Sequence, residues 1–335
     1  MSDSLESPNW GFRVFYGMSI VTLPIYFTIL ICLIHLRCVS KTYKTTFYSL
    51  LLQHCIADLF SMLGYIALSP AREIPFIRQF YFDYQEYYIA AATYNIIYVS
   101  LYIRCTGIIL LSLQRYLVIT SPHSKIAIKV QTAANWKIIL VYWIPPTLLN
   151  IVVLKDTNFH FDGLEDMAIV AEKTVIQRNT LMALIVVSIT CIVSSGAYGA
   201  LFSFVRKNSS RLSKSLRREV HLAFQVLVLL FAFFLILVFY TFLNYFSRTQ
   251  NNGPIFYMRG LYPMANGFLS YINPFCILFL NKELTRKMIK PISCRGDLMS
   301  EVQISGIATN SNKSHTAQAV TKGNATENRR TIAFN

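Results

Sequence analysis

Charge is what this 335-residue chain has least of. Only 14% of its residues are Asp, Glu, Lys or Arg, where an ordinary soluble domain carries about 25%. With 54% hydrophobic and 14% aromatic residues, that deficit excludes a soluble globular domain and makes a membrane protein the first reading. Acids are the scarcer sign, 16 against 31 bases, giving a net charge of +15. A nucleic-acid partner does not follow from the excess of bases, because such proteins cluster them on soluble elements. Here they sit between apolar runs.

Other absences narrow the function. Cys32, Cys38, Cys55, Cys105, Cys191, Cys276 and Cys294 fall inside apolar runs or among basic connections, so no disulfide framework is visible. The start carries Asp3 and Glu6 and no basic stretch before a small-residue cleavage site, so no removable signal peptide is expected and the first apolar run serves as membrane signal. No internal repeat supports the inverted halves common in transporters. His35, His54, His123, His160, His221 and His315 are scattered. With no metal-ligand spacing, paired carboxylates or nucleophile motif, neither an enzyme nor a cofactor or metal site is expected.

What is present is organised around residues 89–122. Between 87 and 114 the only charge is Arg104, and about 20 apolar residues at 1.5 Å each already cross the hydrocarbon of a bilayer. The run ends on Gln114, Arg115 and Tyr116. Charge-free windows recur at 14–34, 46–71 apart from Asp58, 87–114 apart from Arg104, 138–154, 179–205, 220–247 and 260–281. Seven spans place the two ends of the chain on opposite sides.

Alternate connections decide which side is which. The segments 37–45, 115–137, 206–219 and the tail from 282 hold 22 of the Lys and Arg residues, against 8 in 1–13, 70–88, 155–178 and 248–259. The positive-inside rule therefore puts the amino terminus outside and the tail in the cytoplasm. The sequons at Asn208, Asn312 and Asn324 then face the side where no glycosylation occurs, so they read as chance matches. The fold expected is an all-α seven-helix membrane bundle: an outer tail over 1–13, the spans over 14–281, an amphipathic helix on the inner leaflet over 282–291, and a disordered cytoplasmic tail over 292–335. Leu284 and Met288 among bases suggest the inner-leaflet helix, and Cys294 is a candidate for palmitoylation. Pro24, Pro145, Pro146, Gly196, Gly199, Pro263 and Pro274 are expected to bend helices or let backbones approach.

An arginine at mid-membrane costs roughly 2.5 kcal/mol or more, so it must face protein and have partners. Asp58 is the other charge deep in an apolar run. Counted from the cytoplasmic ends of their helices, both lie roughly 16–18 Å deep, which predicts an ion pair between them. That pair is a structural clamp, a polar switch near Asn273 of the seventh span or part of a proton or ion pathway, the last disfavoured because no chain of ionisable groups accompanies it.

Ala57-Asp58 in the second span, Gln114-Arg115-Tyr116 closing the third and Asn273-Pro274 in the seventh resemble the G-protein-coupled receptors. The run Tyr102-Ile103-Arg104-Cys105-Thr106-Gly107 through Leu113-Gln114-Arg115-Tyr116 more narrowly resembles the nematode serpentine chemoreceptors, class V within the class gamma superfamily, over residues 14 to about 290. The resemblance implies a chemosensory receptor in the plasma membrane, that of sensory cilia included, with an external small-molecule or peptide ligand, a cytoplasmic heterotrimeric G protein and membrane lipids as partners. It implies that Arg115 and Tyr116, with Arg206, Lys207, Arg217 and Arg218 of the loop 206–218, meet the G protein.

The departures from that pattern carry information. Gln114 replaces the usual acid, so a resting lock from that neighbour would be uncharged. Ile277 stands where a tyrosine is expected, the aromatic-proline hinge is missing from 231–246, and no cysteine lies in 155–178 to form the usual outer disulfide. Arg104 takes the third-helix position around a site where many such receptors hold sodium, implying that its guanidinium replaces the ion. Ile97 occupies the place of the amine receptors' carboxylate, which disfavours a biogenic amine. Tyr94 and Tyr98, four apart on one helix face, with Asn244, Tyr262 and Asn266, are the candidate lining of an outward ligand cavity. The competing function is a multi-span transporter or channel.

Overall fold

A computed structural model describes residues 10–68, 74–165, 167, 169–207, 214–249 and 252–289. The chain divides into a unit spanning Met1–Thr285 and a second spanning Arg286–Asn335. Seven helices in the first unit are long and apolar enough to cross a membrane: α1 (Trp10–Val39), α2 (Thr46–Leu68), α4 (Ala90–Thr120), α6 (Asn135–Leu154), α7 (Lys173–Lys207), α8 (Lys214–Arg248) and α9 (Asn252–Leu280). They coincide with the seven charge-free windows, and all but α2, which ends at Leu68, run further at one end or both, since a helix does not stop where the hydrocarbon does.

Three shorter helices join them: α3 (Pro75–Asp83), α5 (Lys125–Gln131) and α10 (Lys282–Ile289). Pro75 starts α3 with its ring preset for the first turn. Ser124 caps α5, its hydroxyl accepting from the Ala127 amide at 3.1 Å. In α10, Leu284 is fully buried in protein, not turned to a leaflet as its spacing suggested. Residues 290–291, the tail from 292, Cys294 and the three sequons lie outside the described residues.

α4 is the axis of the bundle. It packs on α2, α6, α7 and α8, and 67% of its most apolar window is buried against 28% for α1 and for α6. α9 closes the ring by packing on both α1 and α8. The outward faces of α6, including Ile139, Val141, Ile144, Leu148 and Ile151, remain uncovered by protein, as lipid-facing surfaces should.

The prolines expected to break helices lie inside continuous ones: Pro24 in α1, Pro145 and Pro146 in α6, and Pro263 and Pro274 in α9. Gly196 and Gly199 of α7 mediate no close approach, because a Cβ at either would meet nothing within 4 Å. Close approach falls instead to Gly11, whose added Cβ would stand 2.5 Å from the carbonyl oxygen of Gly260. That contact brings the α1 and α9 backbones together.

The 155–178 connection forms an antiparallel hairpin, β1 (Phe159–Phe161) with β2 (Ile169–Ala171). Just before α4, a wide turn over Gln85–Ile89 holds Tyr88 at φ 71, a left-handed conformation that costs a tyrosine energy and persists only where neighbours enforce it.

Candidate functional site

The polar core sits where the depth argument placed it, but its wiring differs. Asp58 is wholly buried. Its Oδ2 accepts from the Tyr26 hydroxyl at 2.5 Å and from Asn273 Nδ2 at 2.9 Å. Tyr26 also donates to the Ser270 carbonyl at 3.1 Å and accepts from Asn273 Nδ2 at 3.2 Å. One acid thereby fastens α1, α2 and α9 together. His54 lies one turn back, with Nε2 3.9 Å from Asp58 and Nδ1 3.1 Å from the Tyr142 hydroxyl of α6. Gly107 makes room for that bridge: a Cβ there would stand 2.5 Å from both His54 Nδ1 and the Tyr142 oxygen.

Arg104, 1% exposed, makes a separate set of bonds. Nη1 donates to Ser270 Oγ at 2.9 Å and to the Asn266 carbonyl at 3.4 Å. Nη2 donates to Asn266 Oδ1 and, at 3.3 Å, to Ser100 Oγ, and Nε reaches the Ser100 carbonyl at 3.2 Å. The expected Asp58–Arg104 ion pair is therefore absent. The reason is α9: Asn266 and Ser270, four residues apart on one face, stand between the two charges and take up the guanidinium. The charges are linked at second hand, through Ser270, whose hydroxyl accepts from Arg104 and whose carbonyl accepts from Tyr26. For the same reason the guanidinium does not sit on the carboxylate in sodium's place. Asp58, Arg104 and Asn273 do belong to one network, and Asp58 Oδ1 and Asn273 Oδ1 take no hydrogen bond in it among the described residues.

Outward from this core lie the five candidate ligand residues, all less than a tenth exposed. The Tyr94 and Tyr98 hydroxyls are 3.1 Å apart, Tyr94 stacks on Phe159 of the hairpin at 4.8 Å, and Tyr262 donates to the Ile97 carbonyl at 3.5 Å. Asn266 is turned inward to Arg104, and Asn244 is buried on α8. Two clefts stand out among the described residues. One, about 490 Å³, is lined by Asn158, Phe159, His160, Val170, Ala171 and Glu172 of the hairpin. The other, about 600 Å³, is an apolar groove between α1, α8 and α9 that includes Val14, Met18, Met264 and Phe268. Neither is lined by the five candidates.

In place of the missing disulfide, the hairpin is held by side chains. Gln85 Oε1 accepts from the Phe161 amide at 2.7 Å, and Tyr88 donates to the Leu154 carbonyl at 2.8 Å while accepting from Asn95 at 3.1 Å. Arg178 pairs with Asp156 beside it.

At the opposite end, Arg115 is 1% exposed and its guanidinium carbon lies 3.2 Å over the Phe47 ring. Tyr116 is half-buried on α4, and Arg206 and Lys207 are exposed at the end of α7. The side chains of Arg217 and Arg218, and residues 208–213, lie outside the described residues. Nearby, Arg37 donates to Ser49 Oγ at 2.6 Å and to Asn135 Oδ1 at 2.9 Å, joining α1, α2 and α6.

Tyr26, Ser100, Ser270, Tyr142 and Phe47 carry roles that sequence reasoning missed. Serine and tyrosine are common in membrane helices, so only their spacing from Asp58 and Arg104 could have marked them.

Seven apolar helices around a buried polar core, with an arginine closing the third span, define a seven-helix membrane bundle. Compared with curated proteins, the chain matches none. Residues 15–294 match the family model described as serpentine type 7TM GPCR chemoreceptor Srv. The chain belongs to that family, the nematode class V serpentine receptors, which is a receptor family and not an enzyme family.

Proposed function

We propose that this protein is a plasma-membrane chemoreceptor that binds a small molecule or peptide from outside and passes the signal to a heterotrimeric G protein inside. The observation that carries the proposal is Arg115 at the end of α4 in a chain of this family. The basic excess on the connections at that end supports a cytoplasmic placement, with the amino terminus outside. Arg115, Tyr116, Arg206, Lys207, Arg217 and Arg218 then form the coupling face.

The ligand is read by the layer of Tyr94, Tyr98, Asn244, Tyr262 and Asn266, which is closed here by the stacking of Phe159 on Tyr94 and has to open to admit it. Asn266 joins that layer to the switch, because it also holds Arg104. α9 supplies Asn266, Ser270 and Asn273 to the two buried charges, so a shift of α9 changes the bonds of both at once. A ligand that favours one of the two arrangements shifts the population toward it.

The test is expression of the receptor with a nucleotide-exchange readout, screened against odorants and small peptides. Concentration-dependent exchange that disappears in Arg115→Ala is the expected result. Substrate flux through proteoliposomes without ligand-dependent exchange would establish the transporter reading instead.

A further inference from the structure

We infer that Phe47 is a positioning residue that helps hold Arg115 in its resting place, its ring face capping the guanidinium until the receptor is activated. The inference rests on the reading of Arg115 as the G-protein contact. Arg115 is 1% exposed and Phe47 2% exposed, so their 3.2 Å contact is a desolvated cation–π pair, well inside the ~6 Å reach of that interaction. A guanidinium in this position does not reach a protein beneath the membrane. Coupling requires it to leave the ring.

The neighbour on α4 is not what holds it through its carbonyl. The Gln114 side-chain oxygen is buried and takes no hydrogen bond among the described residues. Phe47 itself is firmly placed. It meets Tyr48 edge-on at 5.3 Å, and Tyr48 lies 4.7 Å from Tyr43, which ends the tight turn Lys41–Tyr43 of the first inner connection. The adjacent Thr46 hydroxyl donates to the Val130 carbonyl at 2.6 Å and the Gln131 carbonyl at 3.2 Å, reaching the second inner connection. The ring is thus anchored to both connections that flank Arg115. A movement of either that carries Phe47 away takes the ring face off the guanidinium and so removes that share of the restraint on it.

The experiment uses full-length receptor in nanodiscs and has two parts. The first is a double-mutant cycle on thermal unfolding with Phe47→Leu and Arg115→Met. Phe47→Leu keeps apolar bulk and removes the ring face, so it should lower Tm in the wild-type background and much less beside Arg115→Met. Equal losses in both backgrounds would overturn the contact. The second part is agonist-free nucleotide exchange on G proteins of each class. Phe47→Leu should raise it by between about 2-fold and about 30-fold, the range such a contact supports, and Phe47→Tyr should return it to the wild-type level. Coupling in the cycle with unchanged basal exchange would overturn the lock and leave a merely structural contact. No exchange by any variant, with the cycle intact, would overturn the G-protein reading and the lock with it, and is told apart by that intact cycle.

Discussion

Arg104 and Asp58 are each satisfied by neutral partners, and that decides how substitutions there behave. Removing the guanidinium leaves Asn266 Oδ1 and Ser270 Oγ without their donor, and each buried orphan costs about 1–3 kcal/mol. Arg104→Met should therefore destabilise the receptor by roughly 2 kcal/mol or more, read as lost surface expression and a lower Tm. A direct ion pair would tolerate exchange of its charges. Here the exchange fails, because Asp58→Arg points donors at the Tyr26 and Asn273 donors while Arg104→Asp points acceptors at the acceptors of Asn266 and Ser270. The double variant should express no better than the worse single one. Recovery to wild-type level would contradict the wiring described.

The depth of the two charges was legible in the sequence because helical rise converts residue counts directly into height. Their partners were not. Which side chains stand between two helices depends on the rotation of each about its axis, and the nearly uniform apolarity of a membrane helix leaves that rotation unmarked. Ser270 and Tyr26 meet across 244 residues, a separation no local pattern reports.

At the scale of elements, the hairpin is held by side chains where the resemblance would place a disulfide. Its clasp is a set of replaceable hydrogen bonds: Gln85 to Phe161, and Tyr88 between Asn95 and Leu154. The left-handed backbone at Tyr88 is held in place by the bonds its hydroxyl makes. Removing the Gln85 side chain leaves the Phe161 amide unpaired, a local loss that should speed exchange of that amide and of the ladder amides at 160 and 170 by about 10-fold, with α4 unchanged. Hydrogen exchange read by mass spectrometry on Gln85→Ala checks this. Unchanged hairpin protection would mean the stacking of Tyr94 on Phe159 suffices alone. The absence of an outer cysteine was plain in the sequence, but the two short strands were not, since three alternating residues make too brief a signal.

For the whole molecule, the helices that span and their order were legible from charge-free length alone. The bundle's centre was not: α4 is the axis because it is the most deeply buried of the seven spans, whereas its apolar length resembles that of its neighbours. The division of labour follows from that position. One helix carries Tyr94 and Tyr98 near the hairpin, Arg104 in the core and Arg115 at the basic end.

Everything about signalling direction depends on which end of α4 faces the cytoplasm. The direct measurement places one epitope before Met1 and another after Asn335, then compares antibody binding on intact and permeabilised cells. The account predicts the amino-terminal epitope bound on intact cells and the carboxyl-terminal one only after permeabilisation. The reverse pattern would put Arg115 outside and contradict the receptor mechanism.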